Sequence, residues 1–169
     1  MKILKILFTT AFMFTMGCNP NQDAYRVDGS KGSNEAPPPD PRAKAMWGHD
    51  LATAISKSKK NGTLILMDFT GSDWCPPCMA LHDFVLTQPE FLDFAEKNLE
   101  LVELDFPQNK SIDEKLAETN KKLAEKYNVE GFPTIIVMDA TGKIVHRDTG
   151  YSGKNAKAYT ANLKNKLGR

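Results

Sequence analysis

From residue 43 onward, the apolar positions of the chain alternate between a helical and a strand-like period. Trp47, Leu51 and Ala54 repeat at helical spacing, and Gly62 predicts where that helix stops. A later helical pattern is expected to break or bend near Pro89. The predicted helices cover residues 47–61, 75–85, 91–97, 112–127 and 156–167.

Short apolar runs between these helices predict strands. The run at residues 64–69 is interrupted only by Asp68, which is typical of a strand covered on both faces. The predicted strands cover residues 64–69, 101–106, 134–138 and 143–147, and a turn at 139–142 joins the last two as a hairpin. This order of elements predicts one α/β domain over residues 43–169, with a mixed central sheet and helices on both faces.

The first 42 residues lack this alternation. Lys2 and Lys5 precede an apolar stretch too short to span a bilayer, which is the pattern of a signal peptide over residues 1–17. The segment Thr-Met-Gly-Cys at 15–18 resembles the lipobox of bacterial lipoproteins, and the resemblance implies cleavage before Cys18 and a lipid on its thiol. Thr15 stands where that motif usually has leucine, so an ordinary secretory signal followed by a stray cysteine is the alternative.

Residues 18–42 are rich in Asn, Gly, Ser and Pro, which predicts a flexible, lipid-anchored linker. Such a coil would span about 25–30 Å, enough to hold the domain clear of lipid headgroups. The alternative is a decorated edge of the domain, in which residues 25–27 form a short edge strand.

Charge gives no sign of a nucleic-acid partner. The 22 basic and 21 acidic residues nearly cancel, and no dense basic run occurs. Removal of residues 1–17 would leave a net charge of −1. A single ordinary globular domain, expected to be a monomer, fits this composition.

The three cysteines indicate redox chemistry. With Cys18 assigned to a lipid, Cys75 and Cys78 remain as one C-x-x-C pair, which excludes a structural disulfide framework. The pair stands where a strand passes into a helix, so the helix dipole favours a thiolate at Cys75, the expected nucleophile. Cys78, one turn further on, is expected to be less exposed and to resolve a mixed disulfide at Cys75.

The residues around the pair offer the thiolate little further support. Pro76 and Pro77 remove two backbone donors, which leaves the N–H of Cys78. No basic residue lies between Trp74 and Cys78, and Asp73, expected to face solvent, adds a negative charge. These features predict a reductant or mild exchanger rather than a strong oxidant.

Two motifs carry a family resemblance. Residues 74–78, Trp-Cys-Pro-Pro-Cys, resemble the W-C-x-x-C of the thioredoxin family, and residues 131–134, Gly-Phe-Pro-Thr, are similar to its cis-proline segment. The match covers roughly residues 43–167. The sequence of residues 68–74 resembles that of bacterial envelope members of the family, which are similar to the C-terminal domain of the DsbD reductase. The resemblance implies a thioredoxin fold, catalytic roles for Cys75, Cys78 and a cis Pro133, and a substrate platform that includes Trp74, Phe132 and Thr134.

Asp68 marks a departure from the family. In thioredoxins a buried acid lies six residues before the first cysteine, whereas Asp68 lies seven before Cys75, which predicts a bulge near Gly71 and Ser72. Burial should raise the pKa of Asp68 and suit it to accept the proton of Cys78. The alternative is an acid whose hydrogen bonds are satisfied by backbone at the end of the strand.

A different class of site is conceivable around the same pair. Cys75, Cys78, Met79 and His82 together have the ligand chemistry of a Cu(I) site, although Met79 and His82 are more often packing and surface residues. No second C-x-x-C exists to complete a structural zinc site, so neither a metal nor another cofactor is expected. His49 and His146 have no metal-ligand spacing and are expected to face solvent.

The expected function is therefore thiol-disulfide exchange with protein partners in the bacterial periplasm. Reducing power would come from an upstream electron donor in the membrane, and the protein would be anchored to the bilayer through Cys18. Asn19 after the cysteine favours the outer membrane over the inner one. The alternative is a redox-inert or copper-handling lipoprotein that uses the same fold as a binding module.

Overall fold

The computed structural model describes residues 35–169, which form one five-stranded sheet with helices on both faces. The strands are β1 (Trp47–Gly48), β2 (Leu64–Thr70), β3 (Leu99–Asp105), β4 (Thr134–Met138) and β5 (Ile144–Thr149). The helices are α1 (Ala43–Met46), α2 (Leu51–Asn61), α3 (Pro76–Leu81), α4 (Pro89–Asn98), α5 (Glu114–Lys126) and α6 (Ala156–Leu167), with a π-helical turn at His82–Leu86.

The strands lie in the order β1-β3-β2-β4-β5, and their directions confirm the predicted mixed sheet. β1 and β2 run parallel to β3, whereas β4 is antiparallel to both β2 and β5. Phe69, near the carboxyl end of β2, pairs with Thr134 at the amino end of β4. The C-x-x-C segment, which follows β2, and the Pro133 segment, which precedes β4, therefore lie at the same end of these two central strands.

Alternate residues of β2 face opposite layers of helices. Leu64 and Leu66 belong to a buried cluster with residues of α3, α4 and α6, whereas Ile65 and Met67 pack against residues of α2 and α5. Side chains on a strand alternate between the two faces of a sheet, so Asp68 shares the face of Leu66. The acid in the apolar run therefore lies on the side of the sheet covered by α3.

Trp47 departs from the predicted helix. It lies on β1, where it pairs with Leu101 of β3. The main helix begins only at Leu51, because the carboxylate of Asp50 accepts the backbone N–H groups of Ala52 and Thr53 and so caps its N-terminus. The helical spacing of Trp47 and Leu51 was therefore misleading about the first turn.

The last residues of the predicted linker contact the domain. The backbone N–H of Asp40 donates to the carbonyl oxygen of Thr87 at 2.9 Å, and the side chain of Gln88 donates to the carbonyl oxygen of Pro37 at 3.3 Å. Arg42 pairs with Asp40 at 2.7 Å. These contacts hold residues 37–42 against the segment between the π-helical turn and α4.

The bend predicted near Pro89 is confirmed. The π-helical turn ends at Leu86, and α4 starts again with Pro89 in its first turn, where a missing N–H costs nothing. The predicted signal peptide at 1–17, the predicted lipid site at Cys18 and the alternative edge strand at 25–27 lie outside the described residues. Within residues 35–169, no helix has both the length and the apolar character needed to cross a bilayer.

Candidate active site

The C-x-x-C pair follows β2 across a tight turn at residues 71–74. β2 and β3 stay in register up to the pair formed by Thr70 and Asp105, so the strand carries no bulge of the kind expected. Instead, the carbonyl oxygen of Gly71 accepts a hydrogen bond from the N–H of Cys75 at 3.0 Å. The additional residue before the first cysteine is therefore accommodated in the turn.

Cys75 and Cys78 are joined by a disulfide bond of 2.02 Å, with their Cα atoms 5.2 Å apart. Cys75 is the N-cap residue of α3, and Pro76 begins the helix. Both cysteines are buried, with 4% and 2% of their surface exposed, so the expected difference in exposure is small. The N–H of Cys78 donates to the carbonyl oxygen of Cys75 at 3.0 Å, so this amide already has a partner.

The peptide bond between Phe132 and Pro133 is cis, as the resemblance implied. The carbonyl oxygen of Pro133 accepts the N–H of Gly150 at 2.8 Å. Thr134 is buried, and its hydroxyl donates to the carbonyl oxygen of Gly131 at 2.7 Å. The side chain of Thr134 therefore supports the cis-proline loop from inside, and the substrate contact that the resemblance implies for Thr134 stays a prediction.

Three half-buried aromatic rings connect the two motifs. The ring of Phe132 meets that of Trp74 edge-on, with centroids 5.8 Å apart, and lies 5.1 Å from that of Phe106. The indole N–H of Trp74 donates to the carbonyl oxygen of Phe106 at 2.7 Å. Because Trp74 precedes the first cysteine and Phe132 precedes the cis-proline, these rings form a platform beside the disulfide. Phe106 was not among the predicted site residues, because its only signal in the sequence is its place at the end of an apolar strand.

Gly71 allows the indole ring to lie against the backbone of the turn. A Cβ atom at this position would stand 2.5 Å from Cε2 of Trp74, closer than any carbon contact allows. A side chain at position 71 would therefore displace the ring that borders the cysteine pair.

Asp68 is buried on the face of β2 that points toward α3. Its Oδ1 atom has no hydrogen-bond partner among the described residues, which speaks against an acid satisfied by backbone. Burial, and then the negative charges of Glu103 and Asp105, raise the pKa of Asp68 to about 8. A carboxyl group with this pKa can take up and release a proton near neutral pH, as general acid–base catalysis requires.

Asp105, at the end of β3, is surrounded by donors instead. Its carboxylate accepts the backbone N–H of Ser72 at 3.0 Å and the Ser72 hydroxyl at 2.7 Å, and Lys110 Nζ lies 3.0 Å away. Burial acts to raise the pKa of Asp105, but the hydrogen bonds from Ser72 and Lys110 outweigh it and hold the pKa below its usual range. The sequence does not predict this trio, because the register of β2 on β3 brings its members together.

Hydrogen bonds to Asp73 connect the loop after β3 to the turn before the cysteines. Its carboxylate accepts the backbone N–H groups of Gln108, Asn109 and Lys110 at 2.9, 2.7 and 2.9 Å. The bond from Gln108, followed by the other two, lowers the pKa of Asp73. The expectation of a solvent-facing Asp73 therefore missed its structural role.

The alternative soft-metal site is not assembled in this disulfide state. The two sulfur atoms are bonded to each other, Met79 is exposed, and Nδ1 of His82 lies 2.7 Å from a carboxylate oxygen of Asp83. In the described part of the chain, no group of three or more His, Cys, Asp or Glu side chains is arranged to hold a metal ion.

Comparison with known proteins places this geometry in a family. The model of the thioredoxin-like domain family matches residues 51–165. The chain therefore belongs to the thioredoxin-like domain family, and its mixed five-stranded sheet with flanking helices is the thioredoxin fold.

Several relatives are redox proteins. The disulfide bond reductase DsbH of Chlamydia pneumoniae is 37% identical over 125 residues, which cover 74% of each protein. A solved structure of a DsbH oxidoreductase aligns with a TM-score of 0.68 and 32% identity, over 87% of this chain and 97% of that one. The thiol:disulfide interchange protein DsbD of Cronobacter sakazakii is 30% identical over 120 residues, which are 70% of this chain but 19% of that protein.

The fold and the disulfide at the start of α3 together define a thiol-disulfide oxidoreductase. Within this class, the chain is a relative of the DsbH disulfide bond reductase.

Proposed function

We propose that this protein reduces disulfide bonds in other proteins through the Cys75-Cys78 dithiol. The observation that carries the proposal is a redox disulfide on the same side of the sheet as Asp68, a buried carboxyl group that titrates near neutral pH. DsbH, the relative with 37% identity, is by name a disulfide bond reductase, which supports the reducing direction.

The reaction takes two exchange steps. In the first, the Cys75 thiolate attacks one sulfur of the partner's disulfide, a Cys75-partner bond forms, and the other partner sulfur leaves as a thiolate that water protonates. In the second, Cys78 gives its proton to Asp68 and attacks the Cys75 sulfur, which breaks the bond to the partner and releases the second partner sulfur as a thiolate that water protonates. The partner has then gained two electrons as a dithiol, and Cys75 and Cys78 are oxidised to the disulfide.

An upstream dithiol, which we place in the membrane, returns the protein to its reduced form. Its first thiolate attacks Cys75, and the Cys75-Cys78 bond breaks with Cys78 as the leaving group. Its second thiol then attacks the donor sulfur of this mixed disulfide and releases Cys75 as a thiolate, so that the donor leaves as a disulfide. Asp68 is mostly protonated at pH 7 in the disulfide state, because its pKa is raised to about 8. It can therefore give its proton to the departing Cys78 sulfur.

The surroundings of Cys75 support a reductant. Strong oxidants over-stabilise the reduced thiolate, but here two prolines lack amide donors and the Cys78 amide bonds to the Cys75 carbonyl oxygen. We expect a reduction potential nearer to about −270 mV than to about −120 mV.

The partner disulfide would dock beside the aromatic platform. Trp74, Phe106 and Phe132 offer apolar ring surface next to the pair, and Pro133 has no N–H to compete for an incoming backbone. An extended protein segment with an apolar side chain near its cysteine matches this surface.

The proposed location is the periplasm, with a lipid on Cys18 and the outer membrane favoured. Support comes from the signal pattern, the lipobox-like segment and Asn19. Mass spectrometry of the membrane-extracted protein tests this location. We expect a lipidated N-terminal Cys18 in the wild type and unprocessed or soluble protein for Cys18→Ala, whereas an unmodified Cys18 thiol would contradict the anchor.

Trapping of mixed disulfides tests the two cysteine roles. Cys78→Ser retains the attacking thiol and loses the resolving one, so mixed disulfides with partner proteins should accumulate through Cys75. Cys75→Ser is the matched control and should trap far fewer. The opposite asymmetry on non-reducing gels would reverse the assignment.

Insulin reduction and equilibration with glutathione test the activity and its direction. The wild type should reduce insulin, and Cys75→Ser should not. Inactive wild type would favour the binding-module alternative, and a potential near the oxidising limit would contradict the reductive direction.

A further inference from the structure

Glu103 lies directly beside Asp68 in the sheet. The two residues are register partners on the parallel strands β3 and β2, whose backbones run about 4.8 Å apart. They also share a face, because Leu101 belongs to the same buried cluster as Leu66 and side chains alternate along each strand. The two carboxyl groups are therefore close neighbours.

Burial decreases from Asp68 outward through Glu103 to His49. Asp68 is 4% exposed, the side chain of Glu103 is 26% exposed, and that of His49 is 56% exposed. Nδ1 of His49 lies 3.8 Å from Oε1 of Glu103. Glu103 thus reaches solvent and a polar partner, so it can carry a charge where Asp68 cannot easily do so.

Other ionisable groups on this side of the sheet are less suited to act on Asp68. Asp105 is on β3 too, but its two carboxylate oxygens already accept bonds from Ser72 and Lys110. On the α3 side, Cys78 is held in the disulfide.

The opposite flank of Asp68 is either neutral or more distant. Ile135 of β4 is its register partner there, and Asp148 of β5 stands beyond Ile135 in the same row. Tyr159 of α6 is neutral, because burial raises its pKa further above the physiological range. Glu103 is therefore the direct register neighbour of Asp68, and its charge is met by His49 at 3.8 Å, whereas three donor groups face the carboxylate of Asp105.

We propose that Glu103 is a positioning residue for thiol-disulfide exchange, whose carboxylate keeps a proton on Asp68 in the disulfide state so that the proton is available to Cys78. This inference deepens the proposed function and rests on it for the role of Asp68. The physical cause is like-charge repulsion: an ionised Glu103 disfavours a second negative charge on its neighbour. The negative charge of Glu103 is among the causes of the raised pKa of Asp68.

The test is the titration of the Asp68 carboxyl carbon, followed by NMR in the oxidised protein, with Asp68→Asn used to assign the signal. Glu103→Gln removes the charge and keeps the shape, so the midpoint should fall by about one pH unit. Glu103→Lys places a positive charge there, and the midpoint should fall further. An unchanged or raised midpoint in Glu103→Gln would overturn the proposal, and that variant decides the matter if Glu103→Lys does not fold.

Glu100→Gln is the matched control. Glu100 lies on the same strand and carries the same charge, but it faces the other side of the sheet, where Asn61 and Thr63 donate to it. It should leave the midpoint of Asp68 within about 0.2 pH unit of the wild type, since Glu100 is more distant from Asp68 and on the opposite face of the sheet. An equal fall in Glu100→Gln and Glu103→Gln would show a general charge effect and refute the assignment.

A kinetic readout separates this inference from the proposed function. With a small thiol as reductant, the rate of reduction of the Cys75-Cys78 disulfide should decrease as Asp68 loses its proton. The pH at which this decrease is half complete should fall in Glu103→Gln together with the Asp68 midpoint. A midpoint that moves without any change in this pH profile would overturn the role of Glu103 in exchange. Loss of insulin reduction by the wild type would instead count against the proposed function alone.

Discussion

Asp68 and Asp105 lie on neighbouring strands, on the same face of the sheet, and expose similarly small fractions of their surface, 4% and 6%, although Asp68 lies deeper in the domain. Their proton affinities nevertheless shift in opposite directions. Burial and nearby negative charges raise the pKa of Asp68 to about 8, whereas Ser72 and Lys110 hold the pKa of Asp105 below its usual range.

The difference teaches that a small exposed surface alone does not decide the protonation of a carboxyl group. Asp105 receives two hydrogen bonds from Ser72 and one ion pair from Lys110, which replace the lost hydration of its charge. Oδ1 of Asp68 has no such donor in the described chain. Asp105 is therefore suited to hold the turn before the cysteines in place, and Asp68 to exchange a proton.

The largest expected effect comes from Asp68→Asn in the oxidised protein. Between about pH 4 and pH 8 the folded protein holds a proton on Asp68 that the unfolded chain has lost, so the stability of the wild type falls as pH rises. The variant avoids this cost, and its free energy of unfolding should exceed that of the wild type by about 4 kcal/mol at pH 7 and by little near pH 4. Denaturant titrations across this range measure the gain. A gain that does not depend on pH, or a loss of stability, would contradict the raised pKa.

Asp105→Asn is the matched substitution and should act with the opposite sign. The amide cannot accept all the donors that now face the carboxylate, so the variant should lose about 2 kcal/mol of unfolding free energy at pH 7. Because the pKa of Asp105 is lowered, its stabilising effect is present above the ordinary carboxyl pKa and is lost as pH falls through the folded value. The same titrations should show a constant loss between pH 5 and pH 8. If Asp105→Asn were more stable than the wild type, the two acids would not differ in their effect on stability as expected.

Ser72→Ala sharpens the comparison by removing one donor. The hydroxyl bond to Asp105 is lost while the backbone bond remains, so the unfolding free energy should fall by about 1 kcal/mol. A double-mutant cycle with Asp105→Asn isolates the pair, and the double variant should lose less than the two single losses combined. Strictly additive losses would show that Ser72 does not act through Asp105.

Lys110→Gln should have the smallest effect. Its ammonium group is half exposed, so loss of the ion pair with Asp105 should cost about 0.5 kcal/mol in low salt and less in high salt. Lys121→Gln, at an exposed position of α5, is the control for the change in net charge. Equal effects of the two substitutions, at every salt concentration, would argue against a specific pair between Lys110 and Asp105.

Most elements of the domain could be predicted where the apolar period is unambiguous. The strand predicted at 64–69 is β2 (Leu64–Thr70), and the last predicted helix coincides with α6 (Ala156–Leu167). Trp47 shows the limit, since its spacing to Leu51 is helical while its backbone pairs with Leu101 of a distant strand. A local period cannot reveal such a partner, because strand pairing depends on how the chain returns to the same place.

Some features of the candidate site could likewise be predicted from the sequence, whereas others depend on the tertiary structure. The sequence by itself determined the reactive pair, its place at a strand-to-helix passage, the proline opposite it and the one acid of an apolar strand, because these follow from residue type and local spacing. Only the tertiary structure decided that Thr134 points inward, that Phe106 joins the aromatic platform, and that Asp105 has donors while Asp68 has Glu103 as its neighbour. The proton affinity of a buried carboxyl group depends on distances to groups that are remote along the chain, and only the register of β2 against β3, together with the packing around it, sets those distances.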